Sequence, residues 1–257
     1  MKVMVCLKQV PHSDAKIDVD ASGTWINESN IKFEINSYDT YALEEALQIK
    51  DKAADTEVVV VSIGPDRVTQ ALRTALGMGA DRAVHVKDAD AAASDALGVA
   101  KVLAAIAKAE SPDLVFTGLM SDDANFSAVP PMLAELLGVP SATGVTSTTL
   151  SDGTIRCERE LEGGAYEVVD LPVPSLVAIQ TGANQVRYAS LKGIMQAKKK
   201  PVDVKTAGDL GVSDLGAKVK IDKIYSPPKG QGATILEGNT EQVVAGLVGK
   251  IKELGLL

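Results

Sequence analysis

The sequence predicts an α/β chain built on a doubly wound, mostly parallel sheet. Two observations carry that prediction. Through the first part of the chain, short apolar or β-branched runs alternate with helical patterns in the order β-α-β-α-β-α-β. From about residue 140 the runs come close together and are separated by Gly-containing turns, which adds an antiparallel hairpin region.

Taken in order, Val3 to Leu7 is an apolar run that reads as a buried parallel strand. The polar stretch after it, with a turn at Ser22-Gly23, reads as a hairpin excursion. From Asp39, an acceptable N-cap, the pattern is helical. Ala42, Leu43, Ala46, Leu47 and Ile49 share one face, while Glu44, Glu45 and Lys50 share the other. Glu57 to Ile63 is a continuous β-branched run and the clearest strand in the sequence. Gly64-Pro65-Asp66 ends it, and Val68 to Leu76 reads as a helix closed by Gly77-Met78-Gly79. Arg82 to Val86 is a strand, Ser94 to Lys108 an alanine-rich helix, and Leu114 to Thr117 the next strand.

The hairpin region comprises Thr146 to Leu150, Thr154 to Leu161 and Tyr166 to Leu171, turning at Ser151-Asp152-Gly153 and Gly163-Gly164; Ser175 to Gln180 is a further strand. After Tyr188 come a short helix, the run Lys198-Lys199-Lys200-Pro201 and a weakly patterned tail to about Glu237. A final amphipathic helix carries Val243, Val244, Leu247, Ile251 and Leu254. The expected division is residues 1–204 as one α/β domain and 205–257 as a C-terminal arm. That arm lacks a core of its own, so it either crosses its own domain or wraps a partner subunit.

Composition narrows the function classes. The 257 residues are 46% hydrophobic and 23% charged, a globular balance with enough length for a core without staples. Twenty-six basic against 34 acidic residues give a net charge of −8, the wrong sign for a nucleic-acid surface, and 4% aromatics leave no stacking platform. Two cysteines, Cys6 and Cys157, read as reduced thiols in a cytoplasmic protein. The N-terminal apolar run is over by Lys8, too short for a signal peptide, and no 18-residue apolar stretch exists for an integral membrane protein. Two histidines, no Cys-x-x-Cys, no Walker loop, no Gly-x-Ser-x-Gly elbow and no Gly-x-Gly-x-x-Gly after the first strand leave metal-site, hydrolytic and hydride-transfer chemistry without a home. The chain reads as having no catalytic residues of its own.

In an open parallel sheet, ligands gather beyond the carboxyl ends of the strands at the switch in strand order. Those ends are Cys6-Leu7-Lys8, Ser62-Ile63-Gly64 and Thr117-Gly118, the last with a polar loop reaching to Val129. Ser127 ahead of a helix is a usable phosphate site, or simply an N-cap before a proline-started helix.

Several stretches together resemble the β subunits of electron-transfer flavoproteins. The signature lies in Arg159, Glu162-Gly163-Gly164, Glu167, Val169, Pro174 and Leu176-Val177-Ala178. Val5 to Val10, Ala42 to Ala46, Arg73 to Arg82 and Arg187 to Leu191 agree with it in order, so the similarity runs the whole chain. The resemblance implies an adenine-nucleotide-binding type of sheet and an electron-carrier subunit rather than an enzyme. Its partner would be an α subunit holding most of an FAD; electrons would come from flavin dehydrogenases such as acyl-CoA dehydrogenases and leave to a quinone oxidoreductase. An AMP in this subunit is also implied, the hard chemistry belonging to the flavin.

Carried over by position, the AMP pocket falls on Cys6, on Asn36, Ser37, Tyr38 and Asp39, on Ile63, and on the run Gly118, Leu119, Met120, Ser121, Asp122, Asp123, Ala124, Asn125, Phe126, Ser127, Ala128 and Val129. The Asn36 amide matches a position that would pair with an adenine edge. Glu160 resembles a glutamate at the subunit contact, and on an exposed hairpin it is otherwise a solvated acid. Leu191, Ile194 and Met195 lie at i, i+3 and i+4 and resemble the segment whose leucine docks into partner dehydrogenases; the same spacing also fits core packing. The sequence departs from the family at Val129-Pro130-Pro131, where two prolines remove two N–H donors from the helix start expected to cradle the phosphate. Two other readings stand: an electron-bifurcating branch with a second FAD in place of AMP, which Lys8-Gln9-Val10-Pro11 resembles, and a stand-alone adenine-nucleotide-binding regulatory module.

Overall fold

A computed structural model describes residues 1–228, 230 and 232–257. The elements in chain order are β1 (Lys2–Cys6), β2 (Gln9–Pro11), β3 (Phe33–Ile35), α1 (Ser37–Lys52), β4 (Glu57–Ile63), α2 (Val68–Met78), β5 (Arg82–Val86), α3 (Ala89–Ala92) and α4 (Ala96–Glu110). They continue with β6 (Leu114–Gly118), α5 (Val129–Leu137), β7 (Ser141–Ser151), β8 (Thr154–Glu160), β9 (Tyr166–Pro172), β10 (Ser175–Ile179), α6 (Leu191–Ala197), β11 (Val202–Lys205) and α7 (Thr240–Glu253).

Nine strands form one sheet in the order β11-β5-β4-β1-β6-β10-β7-β8-β9, and β2 pairs with β3 in a separate two-stranded ribbon. The seven strands from β11 to β7 are parallel, while β7, β8 and β9 are antiparallel. A parallel strand covered on both faces needs apolar side chains at every position, which is why Val58 to Val61 are all fully buried. Strand alternation sends Val3, Val5, Val58, Val60 and Phe116 to the α1–α2 face. Met4, Val59, Val61 and Val115 go to the α4–α5 face.

Most strands fall where the sequence places them, and the differences have physical causes. The first helix starts at Ser37, two residues before the expected cap, because Asp39 spends its carboxylate elsewhere. The second helix runs through Gly77 and ends at Met78, with Gly79 closing it in a positive-φ conformation. The alanine-rich helix begins at Ala96, capped by Asp95, whose side chain accepts from the Gly98 N–H at 3.0 Å. β7 begins at Ser141, five residues earlier than expected, since its first half pairs with β10, a partner distant in sequence. β11 went unpredicted because Val-Asp-Val-Lys carries little strand signal alone; it adds to the edge strand β5. Helix α5 starts at Val129 with Ala128 as its cap residue, and Ser127 sits at φ 49 without capping it.

Helix α6 lies against α2 at a point where neither backbone carries a side chain. A Cβ on Gly193 would overlap the Gly77 carbonyl oxygen, and a Cβ on Gly77 would press on Ala189 at 3.2 Å. Among the described residues α6 buries only Ala197 and α7 buries none. No helix among them is long and apolar enough to cross a membrane. Gly193→Ala is expected to lift α6 off α2 and to cost about 1–3 kcal/mol through overpacking. Equilibrium urea unfolding measures this; an unchanged midpoint would mean the two backbones are not in contact.

Candidate functional site

The switch in strand order lies at β1, whose neighbours β4 and β6 lead the chain to opposite wings of the sheet. Asp39 sits over the carboxyl ends of β1 and β6. Its Oδ2 accepts from the Lys8 N–H at 2.6 Å and its Oδ1 from the Gly118 N–H at 3.0 Å. One buried carboxylate thus ties the two strand ends together from the first turn of α1. Gly118 must lack a side chain here, since a Cβ would overlap Asp39 Oδ1. Burial pushes the Asp39 carboxyl up to about 7, against the pull of its bonds from Lys8 and Gly118.

The loop between β6 and α5 is clasped down by its own acids. Asn36 donates through Nδ2 to the Met120 carbonyl at 2.8 Å and accepts at Oδ1 from the Asp122 N–H at 2.9 Å. Asp122 accepts from the Ser37 N–H at 2.9 Å and from Ser37 Oγ at 2.8 Å, capping α1 from a loop distant in sequence. The Lys8 ammonium donates to Asp123 Oδ1 at 2.6 Å and to Ser121 Oγ at 3.2 Å. Asn125 and Ser127 both take positive φ, and Phe126 projects into solvent.

Cys6, Asn36 to Asp39 and Gly118 to Asp123 therefore meet at the carboxyl ends of β1 and β6, with Ile63 at the end of the adjacent strand β4. The Asn36 amide is engaged by the chain's own backbone, so its role here is to hold the loop. Cys6 is buried beside Asp39, and burial raises its thiol well above the ordinary range. Ser62 and Thr117, near the ends of β4 and β6, each bury a hydroxyl that has no hydrogen-bond partner among the described residues, on opposite faces of the sheet. At the start of α5 the prolines at 130 and 131 leave the amides of Ala128 and Val129 as donors. Lys8, absent from the expected pocket residues, joins this group through its bonds to Ser121 and Asp123; a lone cation just past the first strand, ahead of a loop with two aspartates, was the available signal.

The second group of expected site residues lies elsewhere. Leu191 is 83% exposed, Met195 65% and Ile194 48%, which removes the core-packing reading of that face. Glu160 is exposed at the end of β8, beside exposed Leu161, Tyr166 and Val168, on the opposite wing of the sheet from α2 and α6. The structure does not bring Glu160 and Leu191 together. Val244 and Leu247 on α7, Leu254 just past its end, and Val219, Ile221 and Tyr225 on the segment before it are exposed as well. Among the described residues no group of three or more His, Cys, Asp or Glu could hold a metal ion.

Asp39 makes two predictions. Asp39→Asn puts an amide donor where a backbone N–H needs an acceptor, and is expected to cost about 1–3 kcal/mol at about pH 8. The folded carboxyl titrates at about 7, above its ordinary 3.8. The folded state therefore holds the extra proton between these values, and stability falls as pH rises through that window. The variant is expected to lose this fall, measured by urea unfolding across the pH range. A fall of equal size in the variant would assign it to another group.

Comparison with known proteins agrees with the geometry. A family model described as an electron transfer flavoprotein domain matches residues 23–210. The electron transfer flavoprotein subunit beta of Methylophilus methylotrophus is 38% identical over 98% of this chain and 98% of its own. The subunits of that name from Mus musculus and Homo sapiens are each 37% identical over 99% of this chain and 98% of theirs. A match of this length takes in the crevice, the hairpin region, the exposed face of α6 and the C-terminal arm together, and on it the chain belongs to the electron transfer flavoprotein family, among the β subunits.

Proposed function

We propose that the chain is the β subunit of a heterodimeric electron carrier, docking to flavin dehydrogenases such as acyl-CoA dehydrogenases and delivering electrons to a quinone oxidoreductase. The flavin that carries the electrons is an FAD held mainly by the α subunit, and its isoalloxazine supplies the redox chemistry. The observation that carries this reading is the exposed apolar face of α6, on a chain that matches β subunits over almost its whole length. A single apolar side chain that fills a partner's pocket is the usual form of a hot spot, and Lys192, Lys198 and Lys199 beside it supply steering. The exposed apolar residues of α7 and of the arm before it support a second, larger contact, that with the α subunit.

The crevice over β1 and β6 suits an AMP. Ser127 with the amides of Ala128 and Val129, in the loop that follows β6, offers donors for one phosphate. The carboxylates of Asp122 and Asp123 are tied to α1 and to Lys8, which turns them away from competition with that phosphate. This nucleotide does no redox work; it stabilises the fold by mass action.

Two experiments check the reading. Acid extraction of the purified heterodimer is expected to release AMP, seen by chromatography; a second FAD in its place would make this a bifurcating carrier, and neither nucleotide would mean the crevice is not a nucleotide site. Leu191→Ala is expected to slow electron transfer from a dehydrogenase about tenfold or more. FAD content and thermal stability should stay as in the wild type. A loss of about 2–5 kcal/mol, the cost of truncating a buried leucine, would instead make Leu191 a core residue and end the docking assignment.

A further inference from the structure

We infer that Arg187 is a positioning residue for the docking face of α6, acting on Leu191 through a clasp on α1. The inference rests on the docking reading above. Arg187 donates through Nε and Nη2 to the two carboxylate oxygens of Glu44, at 2.8 and 2.9 Å. Its backbone N–H reaches the same carboxylate at 3.1 Å, and Nη2 also meets Asp51 at 2.7 Å. The Glu44 side chain is only 4% exposed. Burial works against its charge, but the bonds from Arg187 prevail and hold the carboxyl below its usual range. A planar guanidinium gripping a carboxylate with two parallel bonds fixes direction as well as distance, which a lysine ammonium does not.

Leu191 follows four residues after this clasp, with the exposed Tyr188 and the α6 cap residue Ser190 between them. Because α6 buries only Ala197, apolar packing does little to hold it. Polar and backbone contacts do the holding. Arg187 fixes the entry, Gly193 rests on Gly77 in the middle, and Arg73 donates to the carbonyls of Ala197 and Lys200 at the exit, at 2.6 and 2.7 Å. A docking side chain held in one place before binding loses less conformational freedom on docking. The entry clasp is the side-chain hydrogen bond nearest in sequence to Leu191 that ties this segment to another element; the Ser190 cap bonds only within α6.

The test is a double-mutant cycle on the purified heterodimer, with a reduced acyl-CoA dehydrogenase as electron donor. Arg187→Gln is expected to raise KM for the donor about tenfold and to change kcat by less than about twofold, with FAD content and flavin absorption unaltered. In the Leu191→Ala background the same substitution is expected to change KM by less than about twofold, since the side chain it positions is gone. Equal factors in both backgrounds, or a fall in kcat at constant KM, would overturn the inference. If Arg187→Gln yields no heterodimer, Asp51→Asn frees only the exposed limb of the clasp and is expected to raise KM about two- to threefold; an unchanged KM there would also overturn it. Should Leu191→Ala itself leave KM unchanged, the docking reading fails, a result distinct from any effect of Arg187.

Discussion

The Asp39 carboxylate is the contact on which the rest of the structure depends. A doubly wound sheet places its crevice where two neighbouring strands send the chain in opposite directions, and there the strand ends have no further ladder to join them. Asp39 supplies the missing connection by accepting the N–H of Lys8 from one strand end and of Gly118 from the other. It does so from the first turn of α1, so one side chain fixes strand β1, strand β6 and the start of the helix together. Leaving either amide unpartnered in so buried a place would cost more than the bond itself contributes, which makes the carboxylate hard to replace. Glycine at position 118 follows from the same constraint.

Helix α1 carries that fixed point outward. Its first turn holds the loop over the crevice through Asn36 and Ser37. Its middle holds the approach to α6, through Glu44 on Arg187 and through Glu45, which accepts from Asn184 at 2.9 Å and also bonds Thr148 of β7. The loop after β6 and the approach to the exposed face of α6 are therefore both tied to one helix, although their residues are far apart in sequence. Two of the stretches that carry the family resemblance, Ala42 to Ala46 and Arg187 to Leu191, meet in the Glu44–Arg187 pair. Their joint appearance in the sequence has a structural cause.

The order of strands and helices was legible because a parallel sheet buried on both faces writes itself as β-branched runs, of which Glu57 to Ile63 is the plainest. What depends on distant partners was not. The start of β7 and the whole of β11 gain their hydrogen bonds from strands far along the chain, and nothing local marks them. Asp39 looked like an N-cap because an aspartate ahead of an amphipathic pattern usually is one; two backbone amides from other strands outbid the helix for it. The pocket residues near Asp39 came from family resemblance rather than from spacing; the structure bonds Asn36, Ser37 and Asp39 to the end of β6 and the loop after it, and Glu160, expected at a subunit contact, lies on another wing. For Leu191, the spacing of apolar residues taken alone favoured core packing, whereas α6 rests on α2 through Gly193 and Gly77 and leaves that face exposed.

If the proposed function holds, the chain is half of a carrier, and the apolar residues exposed on its arm, terminal helix and α6 are covered in the assembled protein. Native mass measurement combined with the visible spectrum tests this most directly, on the chain expressed alone and with its α subunit. The chain alone is expected to carry little flavin, and the two produced together are expected to give a one-to-one heterodimer with a single FAD. A monodisperse monomer carrying a full complement of FAD by itself would contradict it.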